Sequence, residues 1–232
     1  MSSTEKPLEV LWRDDHVAAV LKPAGVPSQP DKTGDTSVLE LVGKVPGFAS
    51  QPQEIGLPHR LDRPVSGVML LALTPQALTG LSGAFASGSV RKEYWAVVHG
   101  VPPERGEWLH RFKQDAVKHK AVPCAPSAGR EVRVLYRKLA QGDRYALLAL
   151  QPLGGMFHQL RAQCSAAGFP IKGDVKYGAR RGEPDRSIGL HARSLSFEHP
   201  VSGKVISVEA PAPATALWKA LLDVAGSDVP ER

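Results

Sequence analysis

The sequence has few of the features that mark secreted, membrane-bound or repetitive proteins. Only two cysteines occur among its 232 residues, Cys124 and Cys164, and neither belongs to a CxxC pair. This spacing argues against a disulfide framework and a cysteine-based zinc site, so we interpret both as structural thiols. No uncharged apolar run approaches the roughly 18 residues that span a bilayer, and the opening MSSTEKPLEV lacks the apolar segment of a signal peptide. We therefore expect a cytoplasmic protein with no membrane partner.

Motifs for several classes of enzyme are also missing. No GxSxG, P-loop or GxGxxG sequence stands before a predicted helix, so nothing indicates a serine hydrolase, an NTPase or a dinucleotide-binding enzyme. The eight histidines show neither HExxH nor Cys/His ligand spacing. We predict no metal site.

Length and composition fit one globular domain. A chain of 232 residues with 42% hydrophobic and 22% charged residues can bury a proper core. Runs of strands with scattered helices, without βαβ alternation or an internal repeat, favour an α+β fold on a mixed, largely antiparallel sheet with flanking helices and loops. We expect residues 8–224 to form this single domain, between tails at 1–7 and 225–232.

Capping residues and apolar patterns predict where the elements lie. Ser37 and Glu40 form a capping box before a short helix, and Thr74 followed by Pro75 marks the start of a longer one. Predicted strands occupy residues 8–12, 17–22, 67–73, 90–98, 131–139 and 145–151, with a hairpin that turns at 202–203 and further helices at 157–167 and 214–224.

Positive charge is concentrated in the middle of the chain. Residues 101–144 hold 10 basic and 5 acidic residues, and residues 145–186 hold 6 and 3. A basic surface attracts polyanions, of which nucleic acid is the commonest in the cytoplasm. Charge alone also fits a solvated basic face with no ligand.

The segment HRLDRPVSG is the densest cluster of residues suited to chemistry. Asp62 lies among His59, Arg60 and Arg63, and prolines on both sides keep the segment out of regular structure. The apolar run that follows anchors its end, so Asp62 is expected in a loop held by a rigid strand. An ordinary ion-paired surface loop is the alternative interpretation.

Two further segments offer polar side chains on a shared face. His158 and Arg161 are three residues apart on a predicted helix and project together, at the edge of a cleft or in solvent, while Gln159 points elsewhere. Lys92 and Tyr94 share one face of a predicted strand. The alternatives are a snorkelling arginine, a satisfied histidine and a core tyrosine whose hydroxyl reaches the rim.

Taken together, the segments resemble the RluA-type pseudouridine synthases. The similar segments span roughly residues 8–213 and are, in order, LEVLWRDDHVAAVLKPAGVPSQP, HRLDRPVSG, RKEYWAVVHG, GGMFHQLRAQCSAAGFPIKGDVKYG and IGLHARSLSFEHPVSGK. The resemblance implies the pseudouridine synthase fold and the isomerisation of uridine in RNA without a cofactor. The S4-like RNA-binding module that many relatives carry before the catalytic domain is expected to be missing.

The resemblance also assigns roles to individual residues. It implies that Asp62 is the essential aspartate, Tyr94 the active-site tyrosine and Arg161 the arginine paired with the aspartate. The substrate- or RNA-binding residues that it implies are His59, Arg60, Lys92, His158, Gln159 and Leu190.

The chain departs from the family pattern at two places. Val65 stands where the family usually has threonine, and Gly154-Gly155-Met156 replaces a TGR stretch with a basic residue. We expect these departures to affect RNA contacts and the choice of target.

The reaction itself suits one ionised carboxylate. The bond from N1 to C1′ must break, the uracil must turn, and C5 must bond to C1′, which an aspartate held against C1′, C6 or the 2′ hydrogen can support. Arg161 is expected to favour the charged form of Asp62, and Tyr94, or a water that it positions, to take the proton from C5. The nucleotide must be flipped out, with Arg60 available to fill the gap.

Two other functions stay open from the sequence. One is a catalytically silent RNA-binding protein of the same fold. The other is a glycosidic-bond hydrolase, which needs a second positioned carboxylate, and Glu93, Asp174 and Glu183 have no convincing paired context. Stem-loops of tRNA and rRNA both fit as substrate, and we expect a monomer with no obligate protein partner.

Overall fold

A single mixed sheet organises the fold, which we describe from a computed structural model. The structure describes residues 8–48, 55–125 and 127–226, so the predicted tail at 1–7 and residues 227–232 lie outside the described residues. The strands are β1 (Glu9–Arg13), β2 (Val17–Lys22), β3 (Ser66–Ala72), β4 (Arg91–His99), β5 (Arg105–Asp115), β6 (Lys120–Pro123), β7 (Arg130–Gln141), β8 (Tyr145–Leu153), β9 (Leu190–Glu198) and β10 (Val205–Glu209). The helices are α1 (Val38–Val42), α2 (Pro75–Ser87), α3 (Gln159–Ala166) and α4 (Ala216–Gly226), with a 3-10 helix at Val175–Tyr177.

The sheet has the order β1-β2-β3-β9-β4-β8-β7-β5-β6, and β10 pairs with β9. Among the described pairs only β3 and β9 run parallel. The predicted α+β fold on a mixed, largely antiparallel sheet is confirmed. None of the described helices has the length and apolar character needed to cross a membrane.

The predicted helix caps are present. Glu40 N–H donates to Ser37 Oγ at 3.4 Å, and Ser37 N–H donates to Glu40 Oε2 at 2.7 Å, which completes the capping box of α1. Thr74 Oγ1 accepts from Ala77 N–H at 3.3 Å, and Pro75 is the first residue of α2. Local chemistry therefore determines where both helices begin.

The structure differs from the sequence prediction in three places. Strands β5 and β6 form a hairpin that no predicted element covered. Helix α3 begins at Gln159, two residues later than predicted, because His158 has a left-handed backbone with φ of 54°. Helix α4 continues through Gly226, two residues beyond the predicted boundary of the domain.

Alternation along β4 determines which side chains face the site. Ala96 belongs to the core cluster that includes Leu160 of α3, whereas Val97 packs on the opposite face with Trp218 of α4. Tyr94 packs against the same cluster as Ala96. The sheet thus presents Tyr94 to the face that carries α3.

Gly67 allows β3 to approach β9 closely. Its φ is 119°, and a Cβ built on it would lie 2.2 Å from the carbonyl oxygen of Ala192. Only glycine fits this position, because other residues would clash with the neighbouring backbone. The approach holds the end of the Asp62 loop beside Leu190, where β9 begins.

Candidate active site

One cavity brings all the predicted site residues together. Its volume is about 870 Å³, within the range of ligand-binding pockets. Nine predicted residues line it: His59, Arg60, Asp62, Lys92, Tyr94, His158, Gln159, Arg161 and Leu190. They come from the loop before β3, from β4, from the loop and first turn of α3, and from the start of β9.

Asp62 presents its two carboxylate oxygens differently. Arg161 donates to Oδ2 through Nη1 at 3.0 Å, and Nε2 of His158 lies 3.5 Å from the same oxygen. Within the described part of the chain, no donor contacts Oδ1. The side chain is 26% exposed, so the carboxylate is accessible from the cavity while one oxygen is fixed.

Arg161 is buried and held from behind by a second carboxylate. Its Nε and Nη2 donate to Asp174 at 2.7 and 2.8 Å, and only 5% of Arg161 and 1% of Asp174 are exposed. Burial lowers the pKa of Arg161, but the hydrogen bonds and charges of Asp174 and Asp62 outweigh it and raise the pKa above its usual value. Of the two places expected for Arg161, solvent is wrong, since its charge is paired on both sides inside the protein, whereas its guanidinium does line the cavity.

Tyr94 faces the cavity as a protonated phenol. Burial raises the pKa of its hydroxyl, and the negative charge of Asp62 raises the pKa further. The phenolate is therefore disfavoured at neutral pH. The ring can stack on a bound base, and the hydroxyl can donate or accept hydrogen bonds.

His158 is held at the entrance to α3. Its Nδ1 lies 2.9 Å from the hydroxyl of Tyr177, and its ring stacks on Phe157 with centroids 3.8 Å apart. Burial lowers the pKa of His158 to about 4, although Asp62 opposes this effect and Arg161 adds to it. The imidazole is therefore neutral at pH 7.

His59 and Lys92 are tied to the protein backbone. Nε2 of His59 accepts from Leu70 N–H at 2.9 Å, its ring stacks on Phe85 at 4.1 Å, and burial lowers its pKa to about 3. The ammonium of Lys92 donates to the carbonyl of Gly154 at 2.6 Å, and burial lowers its pKa. Both residues line the cavity with polar groups that already have protein partners.

Of the remaining predicted binding residues, two are buried in the wall of the cavity and one is exposed at its rim. Gln159 is buried, and its amide donates to the carbonyl of Arg133 at 3.2 Å and to Gln163 Oε1 at 3.0 Å. Leu190 is buried and supplies apolar surface. Arg60 is exposed, so its guanidinium is accessible to a large ligand.

Three residues that contact the site were not among the predicted site residues: Lys22, Tyr177 and Asp174, the last considered only as the second carboxylate of a hydrolase. Asp174 and Tyr177 lie in the segment GDVKYG, which belongs to one of the similar blocks, so that block was the available signal. Lys22 is fully buried, and its ammonium donates to the carbonyls of Pro23, Val26 and Arg63 at 2.8, 2.7 and 3.1 Å. These bonds fasten the loop after β2 to the Asp62 loop.

Comparison with known proteins gives one consistent family. The family described as RNA pseudouridylate synthase matches residues 16–166. An uncharacterized RNA pseudouridine synthase of Zymomonas mobilis is 35% identical over 209 residues, which cover 88% of this chain and 93% of that protein. The tRNA pseudouridine synthase C of Haemophilus ducreyi is 34% identical over 227 residues, which cover 88% and 90%.

Longer relatives and a solved structure are also similar. The ribosomal large subunit pseudouridine synthase D of Xanthomonas campestris is 33% identical over 225 residues, 89% of this chain and 66% of that protein. The chain spans only 66% and 58% of the length of two further curated relatives. The structure of human RNA pseudouridylate synthase domain containing 1 superposes with a TM-score of 0.77 at 25% identity, covering 95% of this chain and 89% of the other.

Proposed function

This chain belongs to the RNA pseudouridylate synthase family, and we propose that it isomerises uridine to pseudouridine in RNA with Asp62 as its essential catalytic group. One observation carries the proposal: Arg161 fixes Oδ2 of Asp62 at 3.0 Å inside the cavity. The other carboxylate oxygen has no partner among the described residues. Asp62 is thus held in one orientation by Arg161 while one of its carboxylate oxygens stays accessible to a substrate, as a catalytic carboxylate requires.

The net reaction needs no oxidant, reductant or energy source. The bond from N1 to C1′ breaks, C5 forms a bond to C1′, C5 loses a proton and N1 gains one. Attack of Asp62 on C1′ or C6 and removal of the 2′ hydrogen all use the same ionised carboxylate. Arg161 contributes by holding that carboxylate in one orientation.

Tyr94 acts in this proposal as a neutral phenol. Its raised pKa disfavours a phenolate base, so the proton from C5 passes to a water that the hydroxyl positions. Its ring stacks on the uracil while the base turns. This is the second of the two roles considered for Tyr94 from the sequence.

The substrate uridine is turned out of its helix or loop to reach Asp62. The carboxylate is only 26% exposed within the cavity, and a stacked nucleotide cannot bring C1′ or C6 against it. Arg60, exposed at the rim, fills the space that the nucleotide leaves. Relatives of similar identity are named for tRNA and for the large ribosomal subunit, so a stem-loop of either RNA is the proposed substrate.

The two alternative functions are less well supported. A glycosidic-bond hydrolase needs two carboxylates that both reach the substrate, but Asp174 is 1% exposed and engaged by Arg161. A silent RNA-binding protein has no use for a carboxylate oriented inside a cavity. The Asp62 geometry therefore favours the isomerase.

The test measures tritium release from RNA labelled at C5 of uridine. Wild-type protein should release tritium, and Asp62→Asn should release none while its affinity for RNA stays within a few-fold. Asp143→Asn, an exposed residue in the turn between β7 and β8, is the matched control and should behave as wild type. Equal release by wild type and Asp62→Asn would refute the proposal, free uracil among the products would favour the hydrolase, and RNA binding without release would favour the silent protein.

A further inference from the structure

A second chain of polar contacts reaches Asp62 through His158 and Tyr177. The backbone N–H of Ala121 in β6 donates to the hydroxyl of Tyr177 at 2.8 Å. That hydroxyl lies 2.9 Å from Nδ1 of His158, and Nε2 of His158 lies 3.5 Å from Oδ2 of Asp62. The contacts connect a strand backbone to the carboxylate through two side chains.

The direction of each hydrogen bond follows from the donors available. The Tyr177 oxygen already accepts from Ala121, so its single hydrogen is free to be donated to Nδ1 of His158. Burial raises the pKa of Tyr177 to about 12, so the hydroxyl keeps this hydrogen at neutral pH. When the hydroxyl donates this hydrogen, Nδ1 is the acceptor and the proton of the neutral imidazole lies on Nε2.

The orientation of the His158 ring is also fixed. Phe157 covers one face of the imidazole at 3.8 Å with an interplanar angle of 18°, and the ring of Tyr177 meets it edge-on at 5.6 Å. His158 itself has φ of 54°, a left-handed backbone conformation at the residue that precedes α3. Backbone and stacking together direct Nε2 towards Asp62.

We propose that His158 is a positioning residue for Asp62, held by Tyr177 as the neutral tautomer whose Nε2–H donates to Oδ2. This inference rests on the proposed function. The separation of 3.5 Å is long for a hydrogen bond, as catalytic contacts often are before substrate closes the site. With Arg161 and His158 both directed at Oδ2, the free oxygen Oδ1 is the one left for the nucleoside.

The arrangement assigns His158 no proton transfer. Its only lone pair, on Nδ1, accepts from Tyr177, so it has no basic site for the C5 proton. The charged groups near the ring are Asp62, Arg161, Asp174 and Lys176, and the burial of the ring keeps it neutral among them. A neutral donor orients the carboxylate without adding a second full positive charge to that of Arg161.

Nitrogen NMR tests the tautomer directly. Long-range proton–nitrogen spectra of histidine-labelled protein distinguish Nε2–H, Nδ1–H and the imidazolium, and the His158 signals are those that disappear in His158→Gln. We expect Nε2–H in wild type at pH 7, and a loss of this preference in Tyr177→Phe. An Nδ1–H tautomer or an imidazolium in wild type would overturn the proposal, whatever the activity of the protein.

Kinetics test the positioning role. The amide of glutamine can place an N–H near the Nε2 position, so His158→Gln should keep kcat within a few-fold. His158→Leu should lower kcat by about 10- to 100-fold with KM nearly unchanged, the range for a hydrogen bond to a charged group. In Tyr177→Phe, kcat should fall on the acid side of the pH profile, because His158 becomes easier to protonate.

A matched control separates this effect from backbone strain. His119 is exposed and also has positive φ, 45°, so His119→Gln reports what glutamine costs in that conformation away from the site. Equal kcat in His158→Gln and His158→Leu would overturn the role of the N–H donor. If wild-type protein isomerises no uridine, the proposed function fails, but the NMR experiment still decides the tautomer.

Discussion

Replacing Asp174 by asparagine perturbs the buried ion triad of Asp62, Arg161 and Asp174. The amide keeps one acceptor oxygen but replaces the other with an NH2 group, so Arg161 loses the charged pair of hydrogen bonds at 2.7 and 2.8 Å and keeps the one to Asp62 at 3.0 Å. Removing one partner of a buried ion pair lowers the free energy of unfolding by about 3–5 kcal/mol, because the remaining charge stays buried. Since Asp62 still neutralises part of the guanidinium charge, we expect the lower end, about 3 kcal/mol.

Thermal unfolding at pH 7 measures this loss. In a protein of this size, 1 kcal/mol shifts Tm by about 2–4 °C, so Asp174→Asn should lower Tm by about 6–12 °C. Turnover should also fall at temperatures where the variant is folded. Without the carboxylate of Asp174, the Arg161 guanidinium can donate hydrogen bonds to both oxygens of Asp62. It then occupies Oδ1, the oxygen proposed to meet the substrate.

The double variant Arg161→Met with Asp174→Leu separates stability from catalysis. Replacing a buried ion pair by apolar side chains of similar size is often neutral or stabilising, so Tm should return to within a few degrees of wild type. Turnover should be absent in the double variant, because Asp62 has lost the cation that orients it. An unchanged Tm in Asp174→Asn, or wild-type turnover in the double variant, would refute the reasoning.

Two further predictions concern stability. Gly67→Ala should lower the free energy of unfolding by more than about 2 kcal/mol, because the new Cβ would lie 2.2 Å from the Ala192 oxygen. Gly83→Ala in α2 should raise the free energy of unfolding by about 0.5–1 kcal/mol, because alanine favours the helix and its Cβ would have nothing within 4 Å. Urea unfolding measures both, and equal effects would contradict the close approach of β3 and β9. Burial lowers the pKa of His59 from 6.5 to about 3, so between these two pH values the unfolded chain binds a proton that the folded protein does not. The free energy of unfolding therefore decreases as the pH is lowered below 6.5. His59→Gln should flatten this decline between pH 4 and 6 by up to about 1.4 kcal/mol per pH unit, and an unchanged slope would place the titration elsewhere.

Most of the fold was predictable because its signals are local. A capping box, a Thr-Pro helix start and apolar runs of strand length each depend on a few neighbouring residues. Strands β5 and β6 were not predicted because their polar and charged side chains give little apolar alternation. Phe112 and Ala121 are the residues of this hairpin that are buried, and they pack with Tyr177 under α3. Tertiary contact, and not local preference, makes this segment a hairpin.

The site was predictable only in part. Similarity to a family brought Asp62, Tyr94 and Arg161 forward, and the structure places all three in one cavity. Asp174 and Tyr177 could not be assigned from spacing, since their contacts with Arg161 and His158 arise only when the chain turns back after α3. The side-chain direction of His158 was also hidden, because helical spacing assumes a helical backbone that this residue does not have.

The two departures from the family pattern affect different parts of the site. Val65 is only 3% exposed and lies in the wall of the cavity beside the Asp62 loop, so valine in place of threonine removes a hydroxyl from that wall. Met156 lines the cavity in place of a basic residue, and the carbonyl of Gly154 accepts from Lys92 at 2.6 Å. Lys92 on β4 therefore places an ammonium directly against this loop. Because that ammonium is already engaged, Arg60 is the exposed cation of the predicted set that is available to RNA.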